Sequence, residues 1–317
     1  MQVMDDSPSR APRSRRALLI ALALGTAAAV PTTYALLSPD TDPASPTPPK
    51  LHLTHQLAAY VEDFPTHDGY RVPTRAERTA VATAVTETLR GDLKAAGRRL
   101  RNVNYRLRTT HLADSDRKVA EIAEPKATGR GWGRVYVDLS EPVRWMVQVP
   151  HPRSDLHTEL IGADLFARVP GGVLVLAGAP RDAARGRTAD MAHRSRTVFN
   201  AVCDVLVDRR IPALQVHGFA DASSPGHDVV LSTGPAGRTP TASAAADRLA
   251  AEGFRVCRAW SRDCGQLEGR TNVQAGAAAD LDVDFLHVEN SHALREDPGA
   301  RARLVTALSE VARRWSR

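Results

Sequence analysis

The chain has 317 residues, 42 Lys and Arg against 36 Asp and Glu, a net charge of +6 and only 5% aromatic residues. That length holds one large domain or two small ones with ample core. Acids are interleaved with the arginines and no basic stripe carries aromatics, which argues against a nucleic-acid surface.

The first 37 residues read as a signal peptide or signal anchor. Arg10, Arg13, Arg15 and Arg16 precede the apolar run Ala17 to Val30, which is short for a membrane span. Ser14-Arg15-Arg16-Ala17-Leu18-Leu19 resembles a twin-arginine export signal, and the small residues at Ala27-Ala28-Ala29 and Thr33-Tyr34-Ala35 suit a signal peptidase. No Cys follows to carry a lipid anchor. Cleaved or not, this segment places the remainder outside the membrane and is its only predicted contact with lipid. Residues 38–50, rich in Pro, Thr, Ser and Asp, form a stiff disordered linker.

Residues 51–142 read as a small α+β leading region. Ala80, Val81, Ala84, Val85, Leu89, Leu93 and Ala96 lie at helical spacing and predict one helix over Arg75–Arg99, ended by Gly97. Arg101–Thr109, Val119–Ile122 and Trp132–Val137 predict strands. His52, His55, His67 and His111 share no spacing and read as surface or loop residues. Nothing here suggests chemistry.

Residues 143–317 alternate strand and helix. Apolar runs at Val143–Val149, Val173–Gly178, Ala213–Val216, Asp228–Ser232, Phe254–Cys257 and Asp284–Val288 predict buried strands. Helices are predicted over Thr158–Val169, Thr197–Val207, Thr241–Glu252 and Gly299–Trp315. The alternation implies an α/β fold: a mostly parallel, mixed sheet with helices on both faces. Outside the cell disulfides are permitted, and Cys257 and Cys264 are close enough to bridge a short loop. Cys203 falls on the apolar pattern of its helix and reads as a core thiol. Three cysteines without CxxC spacing exclude a structural zinc cluster.

Three of the predicted strands finish in chemistry: His151 after Pro150, His217 before Gly218, and Glu289 before Asn290. In a doubly wound sheet such strand ends share one edge, where ligands bind. Asp155 and Glu159 follow His151 at intervals of four. An imidazole crowded by carboxylates there needs solvent, a partner or a cation, and mixed nitrogen and oxygen ligands suit zinc. Taken alone, the stretch also reads as a polar loop with a helix N-cap. Two imidazoles with Asp155 would make a three-ligand site for zinc, leaving Glu289 beside it as general base. His287, two before Glu289, shares its face and reads equally as a partner or as core. His292 and Arg295 are placed at the mouth. His157 starts a helix at the surface.

This pattern resembles the zinc carboxypeptidase-like amidohydrolases, in particular N-formylglutamate amidohydrolases and phage poly-γ-glutamate hydrolases, over roughly Val143 to the C-terminus. The resemblance implies metal ligands His151, Asp155 and His217, with Glu159 as the alternative to Asp155, and a catalytic Glu289. It departs from the HxxE of carboxypeptidases proper, since Ser154 stands three after His151. It further implies a substrate carboxylate met by Arg and Asn from a middle segment, where Arg194, Arg196 and Asn200 lie; His193 there caps or faces solvent. The amide-rich loop Cys264–Gln274 reads either as facing substrate through Asn272 or as a turn with Asn272 capping a short helix.

The expected function is therefore an exported, zinc-dependent amidohydrolase or peptidase. It would cleave an amide next to a carboxylate, as in a γ-glutamyl, N-acyl amino acid or cell-wall peptide. The competing reading is an exported module that binds a carboxylate ligand on an inactive hydrolase scaffold. A serine hydrolase lacks its GxSxG elbow, and a dinucleotide fold lacks GxGxxG after a strand.

Overall fold

The computed structural model describes residues 50–65, 68–124 and 129–317. The expected export segment, the linker apart from Lys50, and His67 lie outside the described residues. Leu53, Leu57 and Val61 repeat every four residues and bury one side of α1 (Leu53–Glu62). A capping box between Thr74 and Glu77 starts α2 (Arg75–Leu89). The single helix expected over Arg75–Arg99 is two. Gly91 takes a left-handed φ of +82°, and Asp92 then caps α3 (Leu93–Arg101) by accepting from Ala95 N. The apolar spacing runs through this break because both halves pack on the same core, which conceals the turn.

Three antiparallel strands follow: β1 (Arg106–His111), β2 (Lys118–Ala123) and β3 (Arg134–Asp138). Next come β4 (Trp145–Val149), α4 (Thr158–Arg168), β5 (Gly172–Leu176), α5 (Val198–Val207) and β6 (Ala213–Phe219). The chain continues through β7 (Val229–Ser232), α6 (Pro240–Ala251), β8 (Val256–Arg258), α7 (Val273–Asp280) and β9 (Phe285–Ser291). It closes with α8 (His292–Glu296) and α9 (Pro298–Trp315).

The strands form one mixed nine-stranded sheet in the order β1-β2-β3-β5-β4-β6-β9-β7-β8. Its middle, β5-β4-β6-β9, is parallel, whereas β3 meets β5 and β7 meets β9 antiparallel. The leading region thus continues this sheet rather than building its own. Arg117 ties the two parts: it pairs with the buried Asp138 and donates to the Phe166 and Ala167 carbonyls, at 2.6 and 2.7 Å, at the end of α4. Successive strand residues alternate between two cores. Val147, Val149, Leu174 and Leu176 face α1, α4, α6 and α9; Met146, Val173 and Val175 face α2, α3, α5 and α7. Burial on both faces is why the central strands read as unbroken apolar runs. Among the described residues no helix is long and apolar enough to cross a membrane.

Candidate metal centre

The site forms where β4, β6 and β9 end. Gln148 is opposite Gln215 in the β4–β6 register, and His217 is opposite Glu289 in the β6–β9 register. His151, just past β4, therefore reaches the level of the other two. Asp155 is brought back to His151 by a tight turn. Its N–H donates to the His151 carbonyl at 2.8 Å, and its own carbonyl accepts from Thr158 Oγ1 at 2.7 Å.

His151, Asp155 and His217 are buried and offer three ligand atoms within 4.8 Å of one another. His151 Nδ1 lies 3.4 Å and His217 Nδ1 3.5 Å from Asp155 Oδ2. Even so, His151 Nδ1 and Asp155 Oδ2 are buried without a hydrogen-bond partner. The outward ring nitrogens are both engaged. His151 Nε2 donates to Asp190 Oδ1 at 2.9 Å and His217 Nε2 to Gln215 Oε1 at 2.7 Å. Outer acceptors of this kind place the proton on Nε2 and turn the Nδ1 lone pair inward, as in metal-bound histidines. Arg181 holds the other oxygen of Asp155. The donor set, its convergence and its orphaned atoms fit zinc.

Electrostatics agree with that arrangement. Burial, reinforced by the His287 ring, pushes His217 down to about 4 and keeps it neutral. Burial opposes a charge on Asp155, but His151, His217 and Arg181 outweigh it and hold the carboxyl far below its usual range. His151 is likewise disfavoured as a cation by burial, yet Asp155 and Asp190 prevail and raise its pKa. A proton and a metal ion therefore compete for His151 Nδ1.

Glu289 lines the same cavity, of about 870 Å³, and its Oε2 is buried without a partner. His287 lines it too. Its ring lies 4.4 Å from that of His217, centre to centre, and its Nε2 lies 3.3 Å from Glu289 Oε1. Glu159 is not in the ligand cluster; the carboxylate that meets the two imidazoles is that of Asp155. In the first turn of α4, Glu159 is buried instead near Arg301 and Arg295, and burial raises its pKa to about 7.

None of the three residues expected to bind a carboxylate, Arg194, Arg196 and Asn200, lines the cavity. Arg194 donates to the Gly186 and Arg187 carbonyls on an exposed loop, and Arg196 is exposed without a cavity contact. Asn200 is buried in α5, bound to Asp204 and Gln274. Asn272 borders the cavity, but its Oδ1 caps α7 and its Nδ2 donates to Gln215 Oε1 at 2.5 Å. His193 borders it as well, with Nδ1 on Asp190 at 3.0 Å. His157 sits at a left-handed φ of +69° and pairs with Glu296 at 3.2 Å. Arg295 is buried below the strand ends rather than at the mouth.

Three guanidinium groups do line the cavity: Arg181, Arg262 and Arg270. Arg262 lies within the loop closed by a Cys257–Cys264 disulfide, and Arg270 follows in the stretch just after it. Arg270 pairs with Glu268 at 2.5 Å, whereas no partner is seen for the Arg262 side chain among the described residues. Sequence reasoning missed Asp190, which no spacing links to His151, and these arginines, which stand out only once the disulfide loop is seen to wall the cavity.

No protein-family model and no curated protein matches the chain. Solved structures do. A bacteriophage poly-γ-glutamate hydrolase is 13% identical, with 57% of this chain and 89% of that one covered, at a TM-score of 0.40. An N-acetylmuramyl-L-alanine amidase from Mycobacterium smegmatis is 12% identical, with 56% and 99% covered and a TM-score of 0.33. A Silicibacter succinylglutamate desuccinylase is 14% identical, with 66% and 70% covered and a TM-score of 0.38.

Proposed function

We propose that the chain is an exported, zinc-dependent amidohydrolase or peptidase that cleaves an amide next to a carboxylate. The observation that carries this is the pair of orphaned buried atoms, His151 Nδ1 and Asp155 Oδ2, facing His217 Nδ1 beside an unpartnered Glu289 oxygen. His151, Asp155 and His217 would hold the metal. Zinc in that place supplies a Lewis acid for a carbonyl and for water. Glu289 Oε2 takes a proton from the attacking water and returns it to the departing nitrogen, so that amide and water become carboxylate and amine. Gln215 and Asp190 keep both imidazoles in the required tautomer. Arg262, on the wall of the same cavity, offers a guanidinium fork to the substrate carboxylate. Export is supported by the basic-then-apolar start of the chain and by the disulfide.

Elemental analysis of the purified protein tests the metal, beside His151→Ala and His217→Ala. About one zinc per chain, lost in both variants, is expected for a three-ligand site. No bound metal after zinc is added overturns the reading. Bound zinc without turnover of γ-glutamyl, N-acyl amino acid or cell-wall peptide amides would favour a carboxylate-binding module.

A further inference from the structure

Arg295 is a buried cation, 4% exposed, and among the described residues no carboxylate pairs with it. Its donors go to backbone carbonyls instead. Nε donates to Asn290 O at 3.1 Å, one terminal nitrogen to Leu156 O at 2.6 Å and the other to Phe219 O at 3.2 Å. Leu156 follows Asp155, Phe219 lies two after His217, and Asn290 follows Glu289. One planar group thus joins the three segments that carry the site, segments otherwise distant in sequence. The short helix α8, capped by Ser291 on Leu294 N, turns the chain back so that Arg295 passes beneath the strand ends.

The chain makes room for that passage. A Cβ on Gly218 would lie 2.3 Å from Arg295 Nε and 2.5 Å from its Cζ, while the backbone of Gly218 has no need of a left-handed φ. Glycine stands beside the ligand His217 because the guanidinium crosses there. Leaving a cation buried without an ion pair is costly. The carboxylates whose charge acts on it most strongly are Asp155 and Glu289, then Glu296 and Asp221.

We propose that Arg295 is a positioning residue of the metal centre, its guanidinium setting the spacing of the three chain segments that bear His151 with Asp155, His217 and Glu289. The inference rests on the metal reading above. A ligand set must be held to about half an ångström, and loss of outer support weakens metal binding about 10- to 100-fold.

Cobalt(II) titration of the full chain tests this without recourse to activity, reading both affinity and the visible d–d spectrum. Arg295→Met removes the guanidinium at similar volume; Gly218→Ala keeps the charge and displaces it. Both are expected to bind cobalt about 10- to 100-fold more weakly than wild type, with a shifted spectrum. Ethylguanidinium is expected to restore the wild-type spectrum in Arg295→Ala. Wild-type affinity and spectrum in a folded Arg295→Met protein would overturn the proposal; if that variant does not fold, the same result in Gly218→Ala does so. A wild-type chain that binds no cobalt overturns the metal reading itself, and this proposal with it.

Discussion

Two buried carboxylates, Glu121 in the leading region and Asp155 at the strand ends, show how differently the chain treats a buried charge. Glu121 is saturated. Arg108 and Arg134 pair with it at 2.6 and 2.9 Å, and Tyr136 and Gln56 donate to it at 3.0 and 2.7 Å. Asp155 has one oxygen on Arg181 and the other facing two imidazoles with no hydrogen bond at all. The first arrangement is complete without any further component, as buried polar groups in a scaffold are. The second leaves a carboxylate oxygen and the imidazole nitrogen facing it unpartnered, an arrangement consistent with a small cation. Saturation separates an ion cluster that holds the fold from one that holds a ligand.

The largest expected effect belongs to Glu289, whose Oε2, like Asp155 Oδ2, is buried without a partner. Glu289→Gln is expected to lower kcat by about 10²- to 10⁴-fold with zinc content unchanged, since only the proton transfer is lost. Steady-state kinetics beside metal analysis checks this, and loss of zinc would instead make Glu289 a ligand. Glu121→Gln should do the reverse. Leaving the half-buried Arg134 against a neutral amide costs about 3 kcal/mol of stability, read by urea unfolding, while zinc stoichiometry stays at wild type.

Glu159 sharpens the contrast through pH. Burial raises its pKa from about 4.5 to about 7, so between those values the folded chain keeps a proton that the unfolded chain has released. Stability from this group is full below about pH 4.5 and is lost as pH rises through about 7. Glu159→Gln cannot ionise and is expected to gain about 3 kcal/mol relative to wild type at pH 8, and little at pH 4. Equal effects at both pH values would show that Glu159 does not titrate as a buried acid. The smallest expected effect belongs to Asp190→Asn. With a weaker acceptor on His151 Nε2, zinc affinity is expected to fall about 10-fold, measured by competition with a chelator, and the fold to persist.

Much of this was legible beforehand because strand ends in a parallel sheet are legible. His151, His217 and Glu289 each follow an apolar run, and that position places them on one edge whatever the strand order. Asp155 over Glu159 was not decidable from spacing. Both lie at intervals of four, and only the turn that hydrogen-bonds Asp155 N to His151 O separates them. Arg194, Arg196 and Asn200 fell in the expected segment, yet past His193 that segment leaves the cavity wall and runs into α5. The break at Gly91 escaped because apolar periodicity reports a shared core and not helix continuity.

By itself, then, the amino-acid order determined the alternating elements, the two-faced burial of the central strands and the residue types at their ends, since all follow from local periodicity and turn chemistry. Only the tertiary structure decided which imidazole nitrogens face inward, which carboxylate joins them, which arginines wall the cavity and that Arg295 lies under it. Those depend on contacts between residues far apart in the chain, where an ångström of placement separates a ligand from a neighbour and no sequence spacing records the distance.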